Sequence, residues 1–191
     1  QRAHVAHRQH GRAFAGTPDG QRHYEPLADL LLVDTQCPPG ISVQGMRNLN
    51  GVDMRRCDPA DDVQGYRREL SLTSGVHAVS YALQGIVHRR EAFISYPAQA
   101  LCLRTTGHPF EVLLRRGSHI GRMYAADKRT IVLAGQAANG GVAYCCAVRI
   151  IRGGVKVIGT SLLCEGDADL VCAGTTSFRY DDPVAAALSL L

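Results

Sequence analysis

The sequence predicts an all-β protein: an antiparallel β-sandwich with a short C-terminal helix. Three observations predict it. Short segments of alternating side chains follow one another from Gly65 to Phe178, punctuated by glycines. No helical pattern of 10–15 residues interrupts them, which argues against an α/β arrangement. Finally, Val142 to Ile151 is apolar at its even positions and at most odd ones, the pattern of a central strand covered on both faces.

The elements are predicted in order. Residues 1–15 are rich in His, Arg and Ala without a strong period and form a poorly ordered or helical leader. Tyr24 to Val33 reads as a first strand, with Pro26 placing it at an edge or a strand start. From Asp34 to Gln64, Pro38, Pro39, Gly40, Gly45, Gly51 and Pro59 mark a long irregular connection, with a short strand near Ile41 to Met46. Strands then follow at 66–72, 76–83, 86–95, 98–104, 109–116, 130–134, 141–151, 155–158 and 168–177. Pro183 to Leu191 is helical, with Pro183 at an opening position and Asp182 as its cap. The resulting organisation is a leader at 1–15, a β-sandwich domain at 16–180 and a helix-bearing end at 181–191. There is no internal repeat, heptad pattern or low-complexity tract.

One register follows from local chemistry alone. The alternation of Val76 to Leu83 stops at Gln84-Gly85 and resumes from Ile86 to Ser95, so a two-residue hairpin loop with Gly85 at positive φ is the default. In that register Leu83 faces Ile86 and Tyr81 faces His88.

Tyr66 to Leu70 (YRREL), Val79-Ser80-Tyr81, Gly85, Arg90 to Phe93 with Ser95, and Pro97 to Arg104 also occur in a recognisable order. Upstream stand Gly16 to Arg22 and Tyr24 to Leu30; downstream stand Thr130 to Gly135, Gly140 to Val142, Gly153-Gly154 and Ala173 to Phe178. In this order they resemble the N-terminal β-domain of glycoside hydrolase family 95, the α-L-fucosidase family, as spaced matches across residues 13–183. Ala28 departs from it, standing where that family usually has glycine. The resemblance implies an incomplete, supersandwich-like β-sandwich truncated at both ends, lacking its opening strands and the large (α/α)6 helical barrel that holds the catalytic residues, with 181–191 as the start of the linker helix toward that barrel. It transfers no catalytic residue to this sequence.

Composition bounds the alternatives. A chain of 191 residues with 46% hydrophobic and 20% charged residues is globular, and at this length should bury about 70% of its unfolded surface. Apolar runs such as Leu30 to Val33 fall far short of the roughly 20 residues that span a bilayer, so no membrane partner is expected. The opening QRAHVAHRQH has no apolar signal region, and localisation stays unknown. Relatives in the resembled family are often secreted. The cysteines, 7 in all (37, 57, 102, 145, 146, 164 and 172), lack CxxC spacing, and those from Cys102 onward lie in apolar runs. They read as small buried hydrophobes, which favours a reducing compartment. A net charge of +4 and the Arg-Arg pairs at 55-56, 67-68, 89-90 and 115-116 invite a nucleic-acid reading. Strand geometry opposes it, because adjacent residues point to opposite faces and split each pair's charge.

Glycoside cleavage ordinarily needs two carboxyl groups about 5 to 9.5 Å apart. Asp61-Asp62 and Asp181-Asp182 read as solvated turn and cap residues, and Glu69 and Glu91 as surface partners of Arg67 and Arg89. His4, His7 and His10 recur every three residues but have no carboxylate or cysteine nearby, and read as a solvated terminal segment. His77 and His88 read as half-exposed strand residues. Ser74, Ser80 and Ser95 lack a nucleophile elbow, and Gly153-Gly154 reads as a hairpin turn rather than a phosphate cradle. No catalytic, cofactor-binding or metal-binding residue is assigned, and no cofactor is expected. With no Trp, the sugar-platform candidates are Tyr24, Tyr66, Tyr124 and Tyr144, some of which must fill the core.

The expected role is therefore a non-catalytic N-terminal β-sandwich domain of an α-L-fucosidase-like enzyme, inactive alone, supporting an absent barrel and meeting fucosylated glycans only through the intact enzyme. Self-association of the truncated chain is expected through exposed apolar surface. The alternative is a lectin-like carbohydrate-binding module, against which the lack of Trp counts.

Overall fold

The computed structural model describes residues 26–35, 63–117, 120–137 and 141–191. The predicted leader at 1–15, the segment near Ile41 to Met46, Asp61-Asp62, Cys37, Cys57, Tyr24 and the His4, His7, His10 series lie outside the described residues. What is described is two antiparallel sheets and one short helix. The larger sheet holds β2 (Val63–Leu70), β3 (His77–Leu83), β4 (Ile86–Ser95), β5 (Ala100–Thr106), β7 (Ile120–Asp127), β8 (Thr130–Gln136), β9 (Ala143–Arg152) and β12 (Ala168–Thr176). The smaller holds β1 (Asp29–Asp34), β6 (Phe110–Arg115), β10 (Val155–Ile158) and β11 (Ser161–Cys164). Helix α1 (Pro183–Ser189) follows the last strand.

The larger sheet runs β2-β3-β4-β5-β12-β9-β8-β7 and the smaller β1-β6-β11-β10. The eight-stranded sheet is thus two meanders, β2 to β5 and β7 to β9, joined only by β12. Between β5 and that slot the chain changes sheet four times, at β5–β6, β6–β7, β9–β10 and β11–β12. One of these is Gly153-Gly154, which carries the chain from β9 to β10 in the other sheet and is not the hairpin its sequence suggests. Gly153 has φ 107°, and a Cβ there would lie 2.5 Å from the Asp167 carbonyl oxygen, so only glycine fits the crossing. The hairpin of this region instead joins β10 to β11, pairing Ile158 with Ser161.

The expected β3–β4 register is present: Leu83 pairs with Ile86 and Tyr81 with His88. Gln84 (φ 52°) and Gly85 (φ 78°) are both left-handed, the type I′ combination whose twist matches the flanking strands. The expected strand at 98–104 starts two residues later. Residues 96–99 form a turn in which Ala98 N–H donates to Ser95 Oγ and Gln99 adopts φ 51°. The strand at 66–72 is displaced to Val63–Leu70, and the first strand begins only at Asp29, after Pro26.

The core lies between the sheets. Phe110, Val112, Leu114, Leu162 and Cys164 of the smaller sheet pack on Ile131, Leu133, Tyr144, Cys146, Val148, Ile150 and Leu170 of the larger. The odd positions Cys145 and Ala147 of β9 face the other way, onto Val132, Ala134 and Ala187 of α1. β9 is therefore covered on both faces from Tyr144 to Val148, as its apolar pattern requires. Asp182 caps α1, its Oδ1 accepting from Val184 N–H at 2.9 Å and Ala185 N–H at 3.0 Å. Thr175 Oγ1 donates to the Pro183 carbonyl at 2.6 Å, tying the cap to β12.

Candidate functional site

Two places gather polar chemistry. The first is the seam where β1 of the smaller sheet passes β4 of the larger. His88 Nδ1 lies 3.8 Å from Asp34 Oδ2, and the imidazole is stacked on Tyr81 with centroids 4.8 Å apart and a 3° interplanar angle. His108, on the approach to β6, tilts against it at 4.9 Å. The Nε2 atoms of both histidines are buried without a hydrogen-bond partner. Expected as half-exposed, His88 is only 4% exposed, because Asp34 and His108 arrive from elements distant in sequence. His77 is half-buried, as expected. Burial pushes the His88 imidazole below its ordinary value; Asp34 opposes this, and His108 and Arg90 reinforce it. Burial pushes the Tyr81 phenol up.

The second is the face of the larger sheet turned away from the core, beyond the part that α1 covers. Strand pairing places Glu91 opposite Arg104 and Arg104 opposite Asp169. Arg104 Nε donates to Asp169 Oδ1 at 2.8 Å and Arg152 Nε to Asp169 Oδ2 at 2.8 Å, so one carboxylate is held between two guanidiniums. Hydrogen bonding from Arg104 lowers the Asp169 pKa, outweighing partial burial, with Arg152 adding to the effect. Two residues along the strands, Phe93 pairs with Cys102 and Cys102 with Val171, forming an apolar row beside the charged one. The two rows line a surface groove of about 380 Å³.

The sequence-derived candidates fall as follows. Arg67 Nε donates to Glu69 at 2.8 Å and Arg89 Nη2 to Glu91 at 2.7 Å, the pairing expected of both glutamates. Asp182 is the helix cap. Ser74 and Ser95 serve turns: Ser74 Oγ accepts from Val76 N–H, and Ser95 Oγ from Ala98 N–H. Ser80 sits in β3 opposite Arg89. Tyr144 is the tyrosine of the series that fills the core, at 4% exposure, whereas Tyr66 is exposed. Arg116 departs from the expected division of its pair between two surfaces. It is buried, donates Nη1 to the carbonyls of Pro26 and Leu27, and lies 4.1 Å over the Tyr144 ring. The described cysteines are free thiols, and burial raises those of Cys145 and Cys164 to about 11.

A general acid for glycoside cleavage needs a carboxyl pKa raised toward neutrality. Asp169 is moved the other way. Burial pushes Asp127 up, but hydrogen bonds from Arg129 N–H and Thr130 Oγ1, together with Arg149, outweigh it and leave its pKa lowered. Sequence reasoning missed Asp34, His108, Arg104, Arg152 and Asp169 as members of clusters. None shares a local motif with its partners, and only the sheet order unites them.

The fold and these surfaces define a β-sandwich domain in which Asp169 links three strands and the Asp34–His88 approach spans the two sheets. Residues 1–180 match the family model "Glycosyl hydrolase family 65, N-terminal domain", and the chain belongs to that family. Of the resemblance to the fucosidase family 95, this match shows the coarser part, an N-terminal domain of a glycoside hydrolase, and the family it matches is 65. Among solved structures, one carrying the name kojibiose phosphorylase, from human microbiome, superposes with a TM-score of 0.51 at 9% identity, covering 88% of this chain. At that identity the likeness concerns the fold. The chain spans 28% of that protein's length. No curated protein matches the sequence.

Proposed function

We propose that this chain is the non-catalytic N-terminal β-sandwich domain of a larger glycoside-cleaving enzyme, its role being to pack against and support a helical catalytic barrel. The observation that carries this reading is the family match over residues 1–180. The lowered pKa values of Asp127 and Asp169 agree with a supporting role. Exposed apolar side chains add further support: Leu70 (58%), Leu72 (89%), Ile94 (71%) and Tyr96 (84%) offer docking surface. Without that partner, the chain self-associates.

The ordered matches from Gly16 to Phe178 support an α-L-fucoside as the bond the whole enzyme cleaves, whereas the name of the similar solved structure supports phosphate-dependent cleavage of kojibiose. Inorganic phosphate separates the two. A fucosidase releases fucose from an aryl α-L-fucoside in phosphate-free buffer; a phosphorylase turns over only when phosphate is added. The 191-residue chain alone releases neither product. Turnover by the chain that is abolished by changing one of its carboxylates overturns the supporting role.

A further inference from the structure

We propose that the groove on the open face of the larger sheet is a subsite for a neutral saccharide. A sugar ring lies on the row of Phe93, Cys102 and Val171, and its hydroxyls meet the row of Glu91, Arg104 and Asp169. This rests on reading the chain as a domain of a carbohydrate-active enzyme, and adds a ligand contact made by the domain itself.

A sugar ring carries C–H groups on its faces and, around its edge, hydroxyls that both donate and accept. Its site needs an apolar strip flush with a polar strip whose groups are already held in place, so that little ordering cost is met on binding. Strand pairing builds this arrangement here, with registers of β4, β5 and β12 that are two residues apart, and so on one face, supplying one strip each. Phe93 is 45% exposed and Ile151, which also lines the groove, 54%, so apolar surface is open to a ligand. The Asp169 carboxylate is only 15% exposed and is oriented by both Arg104 and Arg152. Each guanidinium carries five N–H donors, more than Asp169 takes from either.

The charge pattern selects among ligands. Glu91, Arg104, Asp169 and Arg152 alternate in sign across β4, β5, β12 and β9, and Arg89 stands two residues from Glu91 on β4 and pairs with it. Any anion or cation placed along the row meets a like charge beside each opposite one, whereas hydroxyls satisfy both kinds of partner. The groove volume of about 380 Å³ lies within the range of small-ligand sites.

The test is a titration of the isotope-labelled 191-residue chain with L-fucose and, separately, with glucose disaccharides, following backbone amide shifts. Saturating shifts confined to β4, β5 and β12 are expected. Phe93→Ala and Arg104→Ala should each weaken binding roughly tenfold or more, Phe93→Tyr should retain it, and Leu72→Ser, in the β2–β3 turn, should leave it unchanged. Matching amide spectra of the free variants establish that they fold. A flat titration, or binding indifferent to both alanine variants, overturns the subsite. So does a groove that, in the longer enzyme, is shielded by polypeptide and gives no sugar-dependent shift. A flat titration leaves the supporting role standing, because that role is read by turnover assays.

Discussion

His88 Nδ1 on the larger sheet and Asp34 Oδ2 on the smaller are 3.8 Å apart, a polar approach at the seam between two sheets whose shared core is apolar. The imidazole is nonetheless kept below its ordinary value of 6.5, because burial and the neighbouring His108 and Arg90 outweigh the carboxylate.

The sign of the pH dependence follows from this. The unfolded chain binds a proton at His88 more readily than the folded one, so the stabilisation is fully present above pH 6.5 and is lost as pH falls toward the folded-state value. Thermal unfolding from pH 8 to pH 5 should show a falling midpoint. His88→Phe, which keeps an aromatic ring against Tyr81, should flatten that slope; an unchanged slope refutes the assignment.

Asp169 behaves in the opposite sense to a buried general acid. With its pKa lowered by Arg104 and Arg152, its contribution is present above the ordinary carboxylate value of 3.8 and disappears as pH falls through the depressed one. Asp169→Asn should lower the melting midpoint at pH 7, where two guanidiniums lose their shared partner. Wild type and variant should converge at pH 2 or below. A deficit that persists there would point to packing instead.

Gly107 and Gly75 form a matched pair. Both have positive φ, 126° and 69°, but a Cβ at Gly107 would lie 2.7 Å from His88 Nδ1 while one at Gly75 meets nothing within 4 Å. Gly75→Ala should cost about 1 kcal/mol from backbone conformation alone. Gly107→Ala should cost more, about 2 to 3 kcal/mol, and disturb the His88–Tyr81 stack. Chemical denaturation of both variants measures the difference, and equal losses would show that the seam yields freely.

Leu162 is fully buried between the sheets on the four-residue strand β11. Leu162→Ala should destabilise by about 2 to 5 kcal/mol, whereas Leu72→Ala, at 89% exposure, should stay within about 0.5 kcal/mol. Denaturant midpoints decide this, and a small loss at Leu162 would mean that β11 is not part of the core.

Period and turn chemistry by themselves determined the all-β class, the β3–β4 register around Gln84-Gly85, the double-sided burial of β9 and the cap at Asp182. Each is local, set by residues within a few positions of one another. Strands β7 and β11 escaped that reading. β7 is an edge strand whose pairing slips between Ile120 and Arg122 and again between Ala125 and Asp127, which breaks the alternation. β11 spans four residues between turns, too few to establish a period. Only the tertiary structure decided that β12 enters between β5 and β9 and that β1 passes β4. Arg104, Asp169 and Arg152 become neighbours, Phe93, Cys102 and Val171 align, and Asp34 meets His88. The physical reason is that backbone pairing between strands far apart in sequence is specified by the fit of whole sheets around one core, and no single segment carries that information.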